Sequence, residues 1–401
     1  MSLSVTLYDK LHCGFEKIVS ILSTLNDLLG WNFKSLPNRN SIENWVKKSG
    51  YYVYHSPSEF LQTDNLAAIV DESMMMGSEK LLITLGTPAS HPGHPLLHSD
   101  VHVLGLHVAS SWNSRGVCDK LKEMEGKVGH AIEYVISDNA SVMNSGIRLG
   151  SYTQIRDISH TLGMFLERLY KKDDEFNSYM KSLANAKFRD VMKPIAYLLP
   201  PKLRTIARFL NLSDVAKWSS NMLENFHKLT DKEKDTFSFI HTYASFIDEF
   251  SSVMSCVKSL EQELKHKGLS GDTVLFCRKY ILKELYQGNG RMRKLAEDIS
   301  LYLMQEHAKL LNKELTWNIS SDIIESIFGT YKQKRSPNLL NGVTPFVLYL
   351  PLHTQIHEDK RRTFDFKRAL EKIYMADIEQ WKKINLTDNL VYKRIKTLKR
   401  A

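Results

Sequence analysis

The chain has 401 residues, 43% of them hydrophobic, and a formal charge of +9 with a pI near 9.1. That is enough to bury a sizeable core in two or three domains, and the basic balance favours a polyanionic partner. Cys13, Cys118, Cys256 and Cys277 form no CxxC pair, which argues against a disulfide framework or a zinc ribbon and for a reducing compartment. No window nears 18 consecutive apolar residues and no basic-then-apolar leader opens the chain, so a soluble cytoplasmic protein with no membrane partner is expected.

Residues 1–62 read as helical. Leu11, Phe15, Val19 and Leu22 fall at helical spacing, and Ile18, Leu22 and Leu25 extend the stripe. From Pro37 to Gly50 the sequence gives a turn, a polar cap, a short amphipathic helix and a glycine stop. Ile42, Trp45 and Val46 are expected to face inward. Arg39, Asn44, Lys47 and Lys48 are expected to face out, as in the DNA-reading helix of a helix-turn-helix; an ordinary capped helix fits the same periodicity.

The pattern changes at residue 66. Leu66–Val70, Leu81–Leu85, Val101–Val108 and Tyr134–Ile136 are short runs rich in Val, Ile and Leu, bounded by turn residues. The first three are close enough for an antiparallel meander. A helical stretch around Val117–Met124 then makes a crossover, placing the fourth strand parallel to a neighbour. A fifth short strand, Tyr152–Ile155, follows a helix near Val142–Leu149. From Met164 to Lys267 there is no glycine, and Pro194, Pro200 and Pro201 divide a run of helices. An all-helical region over 164–317 therefore interrupts the α/β domain, which resumes with a helix at Asp322–Lys332. In the tail, residues 358–401 hold 13 Lys/Arg against 7 Asp/Glu, either a solvated helix face or a phosphate contact.

Two aspartates end apolar runs: Ala67-Ala68-Ile69-Val70-Asp71 and Tyr134-Val135-Ile136-Ser137-Asp138. If the fourth strand lies beside the first, both acids stand at one rim. With Glu325 from the later helix they could hold magnesium ions against a phosphodiester, since magnesium takes carboxylate oxygens and keeps several waters. Each acid also has a plainer reading. Asp71 could form a strand-end turn, Asp138 could cap the helix at Ser141, and Asp322 with Glu325 fits a capping box. His91, His94, His98, His102 and His107 crowd one stretch without further ligands at zinc spacing. No GxxxxGK[ST] is present, so no nucleotide cofactor is expected. Trp112 and Trp317 could stack on unpaired bases or simply fill the core.

These residues resemble a known family. Asp138-Asn139-Ala140-Ser141-Val142-Met143 is similar to the motif around the second catalytic aspartate of hAT-superfamily DDE transposases, whose RNase H-like core is split by a helical insertion. Asp157-Ile158-Ser159-His160-Thr161-Leu162 resembles the Cys-x-x-His-Thr-Leu segment opening that insertion, with Asp157 where the family has cysteine. Ile69-Val70-Asp71-Glu72-Ser73, followed by Gly77-Ser78-Glu79-Lys80, looks like the first-strand motif of bacterial insertion-element transposases. Ser41-Ile42-Glu43-Asn44-Trp45-Val46 is similar to their recognition helix.

The resemblance implies an RNase H-like mixed sheet flanked by helices, interrupted by a large all-α insertion, with an N-terminal helix-turn-helix-like domain. The expected division is 1–62 DNA-binding, 63–163 and 318–350 catalytic core, 164–317 insertion and 351–401 a basic helical region. It implies a transposase cutting and joining double-stranded DNA at element ends and target. Asp71, Asp138 and Glu325 would bind two Mg2+ ions, with Mn2+ able to substitute, and Asp157 is an alternative to Asp138. His160 would approach the scissile phosphate, orient an acid, or serve as a structural histidine. A homo-oligomer, nucleoid-associated if bacterial, is the expected assembly. The competing expectation is a non-catalytic DNA-binding protein descended from a transposase.

Overall fold

The computed structural model describes residues 1–399 except 32, 77–78, 202–211, 336–337, 357–363 and 389. Gly77 and Ser78 of the first-strand motif thus lie outside the described residues. Two compact units emerge. One takes 1–92, 96–155 and 321–401, and the other takes 93–95 and 156–320.

The first unit begins with α1 (Ser2–Lys10), α2 (Phe15–Leu29), α3 (Arg39–His55) and the single turn α4 (Pro57–Phe60). Asn38 caps α3 by accepting from the Ser41 N–H at 2.8 Å. The expected stop at Gly50 does not occur: α3 runs on to His55. Gly50 is needed for close approach instead, because a Cβ there would stand 1.8 Å from the carbonyl oxygen of Leu348. Ile42, Val46 and Val53 bury against Val5, Ile18, Tyr349, Leu352 and Phe366. Residues 1–62, expected as a domain of their own, accordingly belong to the same unit as the sheet.

The sheet follows. β1 (Leu66–Met76), β2 (Glu79–Pro88) and β3 (His102–Ala109) form the antiparallel meander, α5 (Ser114–Val128) makes the crossover, and β4 (Ile132–Ser137) pairs with β1 in parallel. After α6 (Ser141–Leu149), β5 (Gln154–Arg156) completes a five-stranded mixed sheet of order β3-β2-β1-β4-β5. Val117, Leu121 and Met124 of α5 and Met143 and Ile147 of α6 bury against Leu66, Ala68, Val70 and Val135 on one face. β1 does not end at Val70, as its β-branched run suggests. It continues to Met76 because β2 pairs with it throughout.

The second unit is helical: α7 (Ile158–Tyr170), α8 (Asp174–Asp190), α9 (Ser213–Asn225), α10 (Asp231–Phe237), α11 (Phe239–Thr242), α12 (Ala244–Lys267), α13 (Gly271–Glu284) and α14 (Gly290–Ala308). Phe246 and Phe250, one turn apart on α12, stack at 5.6 Å and enclose Tyr170 and Phe176. Asn289, in the glycine-flanked segment before α14, caps that helix through the Met292 N–H at 3.1 Å. Trp317 is fully buried, so it is a core residue.

The chain returns to the first unit with α15 (Asp322–Lys334), then α16 (Tyr349–Gln355), α17 (Phe366–Lys372), α18 (Met375–Asn385) and α19 (Leu390–Leu398). α15 packs against β1, while α16, α17 and α18 pack against α3. Among the described residues no helix is long and apolar enough to cross a membrane.

Candidate functional site

β1 and β4 pair through Ala67 with Tyr134, Ala68 with Val135 and Ile69 with Ile136. Carried two residues past the last pair, the same offset sets Asp71 of β1 level with Asp138, which follows directly after β4. Side chains alternate along a strand, so Asp71 shares a face with Ala67 and Ile69, away from the Val70 side that α5 and α6 cover. Both carboxylates are half-buried.

Each plainer reading of these acids can be compared with its surroundings. Asp71 does not end its strand: it pairs with Ile83 of β2 after β4 has stopped, one residue before the register irregularity between Glu72 and Met74. Such bulges re-aim side chains and bend the strand locally. Asp138 is not the cap of α6, a position held by Ala140. Its Oδ1 accepts from the Ala140 N–H at 3.0 Å, a local turn that engages one carboxylate oxygen. Asp322 is the first residue of α15 rather than its cap, and Ser321, which precedes it, makes no side-chain cap bond. With Ser321 at the cap, Asp322 and Glu325 fall on the first and fourth helical positions rather than on the cap and third positions of a capping box. Glu325 sits half-buried in the first turn, on the helix that packs against β1.

Next to Glu325, Ser326 Oγ lies 3.0 Å from His98 Nε2. The His98 ring lies 4.6 Å from that of His353, and His353 Nδ1 is 2.7 Å from Asp9 Oδ1. Tyr349 donates to the same oxygen at 2.6 Å. Burial pushes the Asp9 carboxyl up, but the His353 and Tyr349 hydrogen bonds and the Lys334 cation together hold it below the usual range. Through Ser326 and Lys334 the cluster touches both ends of α15. The crowded histidines gave no sign of it in sequence, because Asp9 and His353 come from opposite ends of the chain. His102 and His107 are buried, the former beside Gln355.

Asp157 and His160 lie in the second unit. Asp157 is fully buried and caps α7; its Oδ1 accepts from the His160 N–H at 2.7 Å and lies 2.8 Å from His160 Nδ1. The Asp157 carboxylate thus anchors the start of α7 and fixes the His160 ring.

On α3, Arg39 is exposed, whereas Asn44, Lys47 and Lys48 are half-buried. Lys47 pairs with Glu43 at 3.0 Å, and Lys48 lies 5.9 Å from the Tyr374 ring centre. A helix whose cations are all exposed is α19, and its Lys393, Arg394 and Lys396, with Lys399 just beyond, were visible in sequence only as the charge of the tail.

Among the described residues, no group of three or more His, Cys, Asp or Glu side chains is placed to hold a metal ion. Magnesium nevertheless needs only one or two carboxylates when waters and substrate oxygens complete its shell, and the Asp71–Asp138 pair meets that donor requirement. No protein-family model matches the chain, and no curated protein matches it either.

Proposed function

We propose that this chain is a DDE-type DNA transposase that hydrolyses and joins phosphodiesters at element ends. The observation that carries the reading is the parallel pairing of β1 with β4, whose register, carried past its last paired residues, brings Asp71 and Asp138 to one rim. Support also comes from the strand order β3-β2-β1-β4-β5, with three antiparallel strands and a fourth parallel to the first, which fits the RNase H-like expectation. The return of α15, with Glu325, to β1 and the net charge of +9 fit the same reading.

Asp71, Asp138 and Glu325 would hold the magnesium ions. When bound, the metal neutralises charge on the phosphodiester and lowers the cost of forming the attacking oxyanion. The chain's own part would be to hold the three acids, Asp71 on β1, Asp138 directly after β4 and Glu325 on α15, whose Ser326 lies against His98. Hydrolysis forms a bond from water oxygen to phosphorus and breaks the bond to the 3′-oxygen, which leaves as a hydroxyl. That hydroxyl then attacks a target phosphorus, forming a new P–O bond as the bond to the target's own 3′-oxygen breaks and that oxygen leaves as a hydroxyl, with no covalent link to protein. His160, fixed by Asp157, is given a positioning role in its own unit.

The test is manganese-dependent cleavage and joining of labelled duplex from the flanks of the gene. Asp71→Ala, Asp138→Ala and Glu325→Ala should each lower the rate by roughly 10³-fold, equivalent to about 4 kcal/mol of barrier. Asp157→Ala should keep the chemistry in whatever fraction folds. Salt-sensitive DNA binding by folded wild type without metal-dependent chemistry would favour the binding-only alternative.

A further inference from the structure

We propose that α19 is a helix that contacts the phosphate backbone of duplex DNA; the choice of partner rests on the functional reading above. Its sequence, Leu390-Val391-Tyr392-Lys393-Arg394-Ile395-Lys396-Thr397-Leu398, contains no acid, and Lys399 follows directly. None of its residues is buried. Lys393, Arg394, Lys396 and Lys399 are all exposed, and among the described residues none of the four is in an ion pair. Elsewhere in the unit, exposed cations at helical spacing do find acids: Lys382 pairs with Glu379 at 3.2 Å and Arg115 with Asp119 at 3.4 Å. On α19 the sequence supplies no such partner.

Lys393, Lys396 and Lys399 recur every third residue and so stay within an arc of about 120° on the helix. The row is about 9 Å long, against one phosphate charge per roughly 1.7 Å of duplex axis. One short helix thereby meets several phosphates at once. The helix is attached through half-buried Leu390 and Val391 and packs against residues Leu339–Asn341, leaving the cation row outward. Charge complementarity selects the partner: residues 358–401 carry 13 Lys/Arg against 7 Asp/Glu, so much of the net charge is concentrated here.

Fluorescence anisotropy of a labelled duplex across a sodium chloride series, with chelator present, isolates binding from chemistry. Each phosphate contact contributes about 0.9 to the slope of log affinity against log salt, so replacing all four cations by Gln should flatten the slope by about 3–4. Lys393→Gln and Lys396→Gln alone should each flatten it by about 0.9, which keeps the test decisive where the fourfold variant folds poorly. Lys393→Arg with Lys396→Arg should preserve the wild-type slope. An unchanged slope in the Gln variants overturns the proposal, as does loss of binding only to phosphatidylserine vesicles. Absence of cleavage with the slope change intact would count against the transposase reading and leave this surface standing.

Discussion

α3 and α19 both set lysines and an arginine at helical spacing, but α3 is enclosed by α2, α16, α17 and α18 while α19 has no buried residue. On α3, Glu43 neutralises Lys47, and Tyr374 lies near Lys48. The aromatic end of the same helix takes in a further cation: Lys127 of α5 lies 3.3 Å from the Tyr54 ring centre and donates to the Leu104 carbonyl at 3.0 Å. Burial pushes that ammonium down to about 7. Basic residues on a helix thus indicate a polyanion only where neither the fold nor a neighbouring acid has claimed them. Composition is blind to that distinction.

The comparison breaks most sharply at Gly50. Gly50→Ala forces a methyl into the Leu348 carbonyl, and overpacking of a rigid backbone contact costs roughly 3 kcal/mol or more. A large fall in the thermal midpoint is expected, with no comparable fall for the fourfold α19 variant. Equal midpoints for Gly50→Ala and wild type would mean that α3 is not enclosed as described.

A smaller effect is expected at Lys127. Its pKa of about 7 in the folded protein lies below the ordinary lysine value of 10.5 that the unfolded chain keeps. The unfolded state therefore binds more protons between those values, and this group makes stability rise with pH from about 7 to about 10.5. Below that window the ammonium carries its full desolvation cost. Lys127→Met should remove the rise and stabilise the protein most on the acidic side, as read by urea unfolding at a series of pH values. An unaltered pH profile would place the ammonium in water.

The smallest effects belong to the first turn of α3. Asn38→Ala removes the cap hydrogen bond to Ser41 and should cost about 1 kcal/mol. Arg39→Gln, at the exposed start of the helix, should flatten the DNA salt slope by no more than about 0.9. A change as large as that of the fourfold α19 variant would move the main DNA contact to α3.

The sheet was legible because β-branched runs mark β1 to β4, and the length between β3 and β4 demanded a helical crossover. The expectation that Asp71 and Asp138 share a rim was conditional on the fourth strand lying beside the first, and β4 does pair with β1. Failures came where a local signal was overruled by a distant partner. Val70-Asp71 reads as a strand end, yet β2 keeps β1 extended to Met76. Gly50 reads as a helix stop, yet the backbone at Leu348, almost 300 positions on in the chain, is what requires it. Asp322 to Glu325 has capping-box spacing, but the helix already includes Asp322. The Asp9–His353 pairing joins residues no local pattern could associate.

The first unit is assembled from stretches before and after the helical unit, and this gives synthesis an order. Asp71 on β1 and Asp138 just after β4 emerge early, but 187 positions separate Asp138 from Glu325. At roughly 5–20 residues per second, the ribosome supplies the glutamate about 10–40 s after the second aspartate. A nascent or truncated chain can therefore own the sheet and its two aspartates while still lacking the third acid, so any chemistry that needs all three must wait until translation has passed the helical unit.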